Sequence, residues 1–253
     1  MTAKYPCSSS VKVIVTLICV VVGFYVAVIL HEWAHGTVAW LLGYKQAFYE
    51  VDYGGWLLQH IDEDVPYDQI LAAGHGGAAA LIGIAGLTLS TAFFLVCLVI
   101  MRKIKQSLVL YSLFYWLAVW NMVTIVQYFL LQTFSAQGDT GRFIHGLAIS
   151  PWWVFIPGVA FVYFALYQLF RYAVPKAYAL LKIKSRGIQS IFLLISLAIM
   201  FLMIYSAGYN PLSDAGMPPI NRVFALVCML LVPALFILCN PWRKWVGNAM
   251  CDF

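Results

Sequence analysis

Two histidines and a glutamate lie within five residues in the pentapeptide HEWAH, at positions 31–35. Residues four apart on an α-helix project from nearly the same face, so His31 and His35 can offer two imidazole nitrogens to one ion. Imidazole nitrogens suit Zn²⁺, and an adjacent carboxylate such as Glu32 can take a proton from a water that attacks a carbonyl. The spacing therefore predicts one Zn²⁺ per chain and a general base for hydrolysis.

The elements that must position these residues are membrane helices. The chain of 253 residues is 63% hydrophobic and 10% charged, with a mean hydropathy of +0.87, which excludes a soluble globular domain. We expect an all-α polytopic membrane protein, a single integral membrane domain spanning residues 1–253, with its catalytic core at about 12–146 and accessory helices at about 150–245. Six predicted spans are Val11–Leu42, Ala72–Met101, Ser107–Phe134, Pro151–Val174, Ile188–Tyr209 and Ile220–Cys239.

The net charge of +5 follows membrane topology rather than nucleic-acid binding. Most Lys and Arg residues lie at the N-terminus, in the second and fourth loops and at the C-terminus, whereas the opposite side holds only Lys45, Arg142 and Arg222. The positive-inside rule then places both termini in the cytoplasm. His31 lies about 28 Å beyond Lys12 along a helix, so we expect the HEWAH cluster in the non-cytoplasmic leaflet. The expected partner is the lipid bilayer, with no nucleic acid.

The first external loop contains the segment YEVDYGGWLLQHI at Tyr49–Ile61. Strand-like residues alternate with polar ones on one side of Gly54-Gly55, and a two-glycine turn is typical of a hairpin. The pattern predicts a short β-hairpin that serves either as a lid or as an edge strand capturing an extended peptide. The following IDEDVPYD is predicted to be a solvated acidic connection.

A zinc site of this type needs a third protein ligand. Beyond the first loop the acids are Asp139, Asp214 and Asp252, and Asp252 falls on the cytoplasmic side. His75 opens the second span near HEWAH, where it could be the third ligand, orient the site, polarise a substrate carbonyl, or simply pack or cap. Asn121 and Gln127, in the third span, could bond across helices or bind a substrate strand.

Three sequence segments resemble motifs of the site-2 protease family of intramembrane zinc metalloproteases, in its small bacterial branch without a PDZ domain. They are HEWAHG at positions 31–36, GHGG at 74–77 and DTGR at 139–142. The resemblance implies Zn²⁺ held by His31, His35 and Asp139, with Glu32 as general base. It also implies cleavage of membrane-embedded or membrane-proximal peptides in a bacterial cytoplasmic membrane. From their positions in the spans, His75 and Asn121 are further candidates for orienting the site or binding the substrate.

Two other functions remain open at the level of sequence. A zinc transporter or sensor would use HEWAH as a transit or regulatory site. Transport would require further ligands along several spans, whereas the His and Asp candidates lie toward one end of the predicted spans. An inactive protease relative would bind membrane partners, yet Glu32 is retained. Neither the substrate nor an oligomeric state is specified by the pattern.

Overall fold

The computed structural model describes residues 9–58, 61–202 and 218–242, which are helical apart from their connections and contain no β-strand. Two π-helical segments, Gln127–Gln132 and Leu169–Ala173, continue α4 and α6. The predicted all-α fold is confirmed. In chain order the α-helices are α1 (Ser9–Leu41), α2 (Tyr67–Ala72), α3 (Gly76–Lys103), α4 (Leu108–Val126), α5 (Gly138–Leu147), α6 (Trp152–Gln168), α7 (Val174–Leu181), α8 (Arg186–Leu202) and α9 (Pro219–Leu238).

Five of the described helical segments are long and apolar enough to cross a membrane, and they match five of the six predicted spans. The remaining predicted span, Ile188–Tyr209, overlaps α8, which has 17 described residues, while 203–209 lie outside the described part of the chain. Helix length and composition thus support a polytopic membrane protein. The five segments are Ser10–Leu41, Gly76–Lys103, Leu108–Gln132, Trp152–Leu181 and Pro219–Leu238.

The helices that carry the candidate site differ sharply in burial. The third segment, which contains α4, is the most buried because α1, α3, α7 and α8 all pack against α4, around core side chains such as Tyr115 and Trp116. α1 lies at the periphery, and side chains such as Val13, Leu17 and Val21 are more than half exposed on its outer face. α3 contacts α1, α4 and α5, so it links HEWAH to the segment that follows the third span.

The predicted hairpin at Tyr49–Ile61 is wrong. Among the described residues, which leave out 59–60, the two sides of this loop meet in one antiparallel bridge between Asp52 and Asp62, with backbone hydrogen bonds of 3.0 and 2.9 Å. The Asp52 carboxylate accepts a hydrogen bond from the Gly54 N–H at 3.0 Å, and such a local turn competes with strand pairing. Gly54 and Gly55 therefore belong to a wider loop rather than to a two-residue turn.

Candidate metal centre

The two histidines of HEWAH lie on the buried face of α1. His31 is 5% exposed and His35 is 1% exposed, in a helix whose outer face is otherwise open. Their Nε2 atoms are 3.2 Å apart, as expected for side chains one helical turn apart that turn toward a common point. The local helix geometry alone therefore pairs the imidazoles.

Asp139 reaches the histidines through a sharp turn at the end of the third span. The π-helical segment Gln127–Gln132 ends that span, and Gly138, the first residue of α5, adopts a positive φ of 79°. The Thr140 hydroxyl donates to the Tyr128 carbonyl at 3.1 Å and ties the start of α5 to the π-helical segment. Asp139 then occupies the first turn of α5, where the helix N-terminus favours a carboxylate.

Three ligand atoms form a nearly equilateral triangle. Oδ2 of Asp139 lies 3.2 Å from Nε2 of His31 and 3.2 Å from Nε2 of His35, which matches the 3.2 Å between the two nitrogens. A tetrahedral zinc with bonds of about 2.0–2.1 Å holds its ligands about 3.3 Å apart. The triangle fits Zn²⁺ almost without movement, and in the described part of the chain it is the single His, Cys, Asp and Glu group with metal-binding geometry.

The Nδ1 atoms of both imidazoles lie within hydrogen-bond distance of groups on α3. His35 Nδ1 lies 2.7 Å from the Ile82 carbonyl, which can only accept, so Nδ1 carries a proton. His31 Nδ1 lies 3.1 Å from the Ser90 hydroxyl. Metal-binding histidines generally donate their other N–H in this way. Oδ2 of Asp139 is buried without a hydrogen bond of good geometry, which is the environment expected for a ligand atom.

Gly86 makes room for the histidine pair. Ile82, Gly86 and Ser90 are each four residues apart and share one face of α3. A Cβ at Gly86 would lie 2.7 Å from Nε2 of His31 and closer still to Nε2 of His35. Sequence reasoning did not find this role, although small residues in an apolar helix do indicate close approach of another element.

Glu32 lies at a cavity of about 600 Å³ between α1, the third span and the loop above them. Its side chain is buried, and no described residue donates a hydrogen bond to its carboxylate. The carboxylate is therefore available to a water or to a substrate. The walls are mainly apolar and comprise Val20, Val21, Phe24, Tyr25, Val28, His31, Glu32, Trp56, Leu57, Leu58, Ile61, Trp120, Val123, Thr124, Gln127 and Tyr128.

The loop that was predicted to form a hairpin roofs this cavity. The Tyr25 hydroxyl donates a hydrogen bond to the Trp56 carbonyl, and Trp33 Nε1 donates to the Tyr53 hydroxyl at 3.1 Å. Both donors lie on α1, one on each side of Glu32 in sequence. The loop is thus attached to the helix that carries HEWAH, in the position expected of a lid.

The predicted solvated acidic connection is wrong for one of its four acids, because Glu63 is 5% exposed. Arg142 Nη1 donates to Glu63 Oε1, and the guanidinium lies 3.7 Å from the centre of the Tyr67 ring. Burial alone would raise the pKa of Glu63, but the positive charges of protonated His35 and of Arg142 hold it below its usual value. Sequence offered little signal for this pair, because Glu63 stands among other acids and its partner is 79 residues away.

The charges around the triangle leave an excess of negative charge. The carboxylates of Glu63 and Asp139 contribute two negative charges and Arg142 one positive charge, a net of −1 when the imidazoles are neutral. Burial would raise the pKa of Asp139, but protonated His35 and His31 hold it well below its usual range, so the carboxylate is ionised. This negative charge is offset either by protonation of an imidazole or by a bound cation.

Two further sequence candidates have other contacts. His75 is exposed at the N-terminus of α3, where its Nδ1 lies 2.7 Å from the Tyr44 hydroxyl, apart from the ligand triangle. Asn121 is buried and donates to the Leu117 carbonyl of its own helix at 2.7 Å, and it does not line the cavity. Asp214, the remaining acid considered for the third ligand, lies outside the described residues.

Comparisons with protein-family models, with curated proteins and with solved structures found no match. Function is therefore inferred from the geometry of the chain itself.

Proposed function

We propose that this chain is an intramembrane zinc endopeptidase of the HExxH type, with one Zn²⁺ held by His31, His35 and Asp139. Ligand atoms 3.2 Å apart, with Glu32 lining an adjoining cavity, support this function best. The buried carboxylates of Asp139 and Glu63 favour a cation over a neutral ligand. Thus the triangle, the charge and the cavity all point to the same chemistry.

Glu32 is the proposed general base. Zinc bound at this site would polarise the substrate carbonyl and make a nearby water more acidic. Glu32 accepts a proton from the water as the water oxygen adds to the carbonyl carbon, and returns it to the amide nitrogen as the C–N bond breaks. One water is consumed, and the products are a carboxylic acid and an amine. The absence of a described hydrogen-bond donor to Glu32 keeps its carboxylate available for this transfer.

The cavity indicates the substrate class. Its walls are mainly apolar, and Val21 and Trp56, which line it, are 54% and 78% exposed at the surface of the helix bundle. An apolar segment of a membrane protein or peptide can therefore enter from the lipid side or from its boundary. We propose that both termini lie in the cytoplasm, following the Lys and Arg asymmetry, and that the membrane is a bacterial cytoplasmic membrane, following the family resemblance.

A zinc transporter or sensor is the main competing function. Transport across the membrane would need metal ligands along a path through several spans. Among the described residues, His31, His35 and Asp139 form the single group with suitable geometry, and it occupies one position, opposite Gly86 of α3. An inactive relative would have no use for Glu32 at the cavity.

The test compares Glu32→Gln with Glu50→Gln, which makes the same change at an exposed loop position. Zinc content and peptide hydrolysis are measured on purified protein in lipid vesicles. We expect one zinc per chain in both variants and in the wild type, with hydrolysis reduced about 10²–10⁴-fold only in Glu32→Gln. Wild-type hydrolysis by Glu32→Gln, or a wild-type protein without zinc, would contradict the proposal, and zinc flux into vesicles would favour the transporter.

A further inference from the structure

The polar groups in the cavity wall divide into bonded and unbonded sets. The Tyr25 hydroxyl donates to a carbonyl of the roof loop, and Trp120 Nε1 donates to a backbone carbonyl of α1 at 2.9 Å. In contrast, the side chains of Thr124 and Gln127 line the cavity and form no hydrogen bond with any described residue. The polar groups of Thr124 and Gln127 are therefore available to hydrogen-bond a molecule in this mainly apolar cavity.

Thr124 differs from three other helical threonines and resembles Thr91 of α3, whose hydroxyl also lacks a hydrogen bond but does not line the cavity. The hydroxyls of Thr16, Thr37 and Thr88 each donate to the carbonyl four residues earlier, at 2.8, 2.6 and 2.8 Å. Threonine commonly satisfies its hydroxyl in this way inside a helix. The Thr124 hydroxyl makes no such bond, so it remains available to a molecule in the cavity.

Thr124 and Gln127 lie on the wall that leads to the metal centre. Residues three apart share a helix face, and these two are separated by about 4.5 Å along the axis. The next residue, Tyr128, stacks on the His31 ring with centroids 5.5 Å apart and planes at 7°. The pair therefore stands next to the candidate site, on the side of the cavity facing α1 and Glu32.

A substrate segment from the membrane needs such groups. In a helix each peptide N–H and C=O is bonded within the helix, so attack on a carbonyl carbon requires local unwinding. Unwinding frees polar groups, which is costly in apolar surroundings unless they are paired again. Glutamine offers donors and an acceptor, and a threonine hydroxyl offers both. A residue in an extended strand spans about 3.3 Å, so the two side chains can reach neighbouring peptide groups.

We propose that Gln127 and Thr124 bind the main chain of a locally unwound apolar substrate segment beside the metal centre. The inference deepens the proposed peptidase function and rests on it for the reaction, but binding can be measured separately. It defines the preferred substrate by backbone conformation: an apolar segment that unwinds readily, for example at paired glycines, is bound better than a continuous helix.

The probe is a dansyl-labelled synthetic peptide of about 20 leucine and alanine residues with Gly-Gly at its centre and lysines at both ends. A second peptide carries an ester in place of one peptide group next to the glycines, which removes a single N–H. Both are presented in vesicles of phosphatidylcholine and phosphatidylglycerol containing the full-length zinc protein. The dissociation constant, kcat/KM and zinc content are measured for each pair of peptide and protein.

The decisive comparison is a double-mutant cycle between the ester and Gln127→Leu. In the wild type we expect the ester to weaken binding about 10-fold, and in Gln127→Leu less than 2-fold, because the partner of the N–H is already missing. Gln69→Leu, the same change at an exposed position of α2, should behave as the wild type. Thr124→Val repeats the test at the second side chain.

The outcomes separate this inference from the peptidase proposal. Equal ester effects in the wild type, Gln127→Leu and Thr124→Val would overturn the inference even if the peptide is hydrolysed. Coupling without hydrolysis would support main-chain binding and refute the peptidase. Loss of zinc in both variants would show a structural role and overturn the inference, and absence of both binding and hydrolysis would overturn both proposals.

Discussion

Gly86→Ala should remove zinc without altering a single ligand. The added Cβ would lie 2.7 Å from Nε2 of His31, whereas an ordinary contact begins at 3.4 Å, so that nitrogen must retreat by about 0.7 Å. Nε2 of His35 lies closer to the new methyl group and must retreat further. Metal sites tolerate ligand displacements of about 0.2 Å. Since both nitrogens exceed this limit together, we expect zinc affinity to fall at least about 100-fold.

The matched control lies on the same helix. A Cβ at Gly77 would meet no atom within 4 Å, so Gly77→Ala should retain full zinc affinity. Alanine is also favoured over glycine inside a helix by about 0.5–1 kcal/mol, so this variant should be at least as stable as the wild type. The two substitutions add the same methyl group to α3 and differ in what the methyl group meets.

The assay is zinc titration against a chromophoric chelator, with helix content and elution volume in detergent as checks on folding. Gly86→Ala should remain folded, because overpacking of this size costs about 1–3 kcal/mol, and yet lose zinc. If folded Gly86→Ala binds zinc as tightly as Gly77→Ala, then Nε2 of the histidines does not hold the metal next to α3. Loss of zinc in both Gly86→Ala and Gly77→Ala would also refute the reasoning, because the methyl group at position 77 meets no atom within 4 Å.

Four further predictions follow from the site and the topology. Asp139→Asn should keep the fold but lower zinc affinity strongly and abolish hydrolysis, and undiminished zinc content would show that the third ligand lies elsewhere. Zinc affinity of the wild type should weaken as the pH falls, because protons compete for the two imidazoles, and a pH-independent titration from pH 5 to 8 would contradict histidine ligation. Arg142→Leu should destabilise the protein by about 3 kcal/mol, because Glu63 stays buried without its partner. This is the low end for buried ion pairs, since the Arg142 side chain keeps 26% exposure. An unchanged thermal midpoint of unfolding would contradict the prediction. Cysteine at Asp62 should react with an impermeant thiol reagent applied outside intact cells and cysteine at Lys103 should not, and the reverse pattern would invert the topology.

Sequence reasoning succeeded where the physics is local. The i, i+4 spacing of His31 and His35 lies within one helix, so a helical segment is enough to pair their imidazoles. Runs of about 20 apolar residues likewise predict spanning helices without knowledge of their neighbours. Asp139 was selected because its motif resembles that of a known family, and the structure brings it to 3.2 Å from both histidines.

Tertiary structure decided everything that depends on contacts between distant segments. Glu63 is one of several acids in its loop, and only the position of Arg142 on α5 makes it a buried ion pair rather than a solvated residue. Gly86 is one of several glycines in α3, and only the register of α1 against α3 places it at the histidine nitrogens. The hairpin prediction at Tyr49–Ile61 failed for the same reason: alternation favours a strand, but a strand needs a partner with free backbone groups, and the local turn at Asp52 together with attachment to α1 left a single bridge. Spacing along one element is encoded by the chain, whereas which elements meet is settled by packing of the whole bundle.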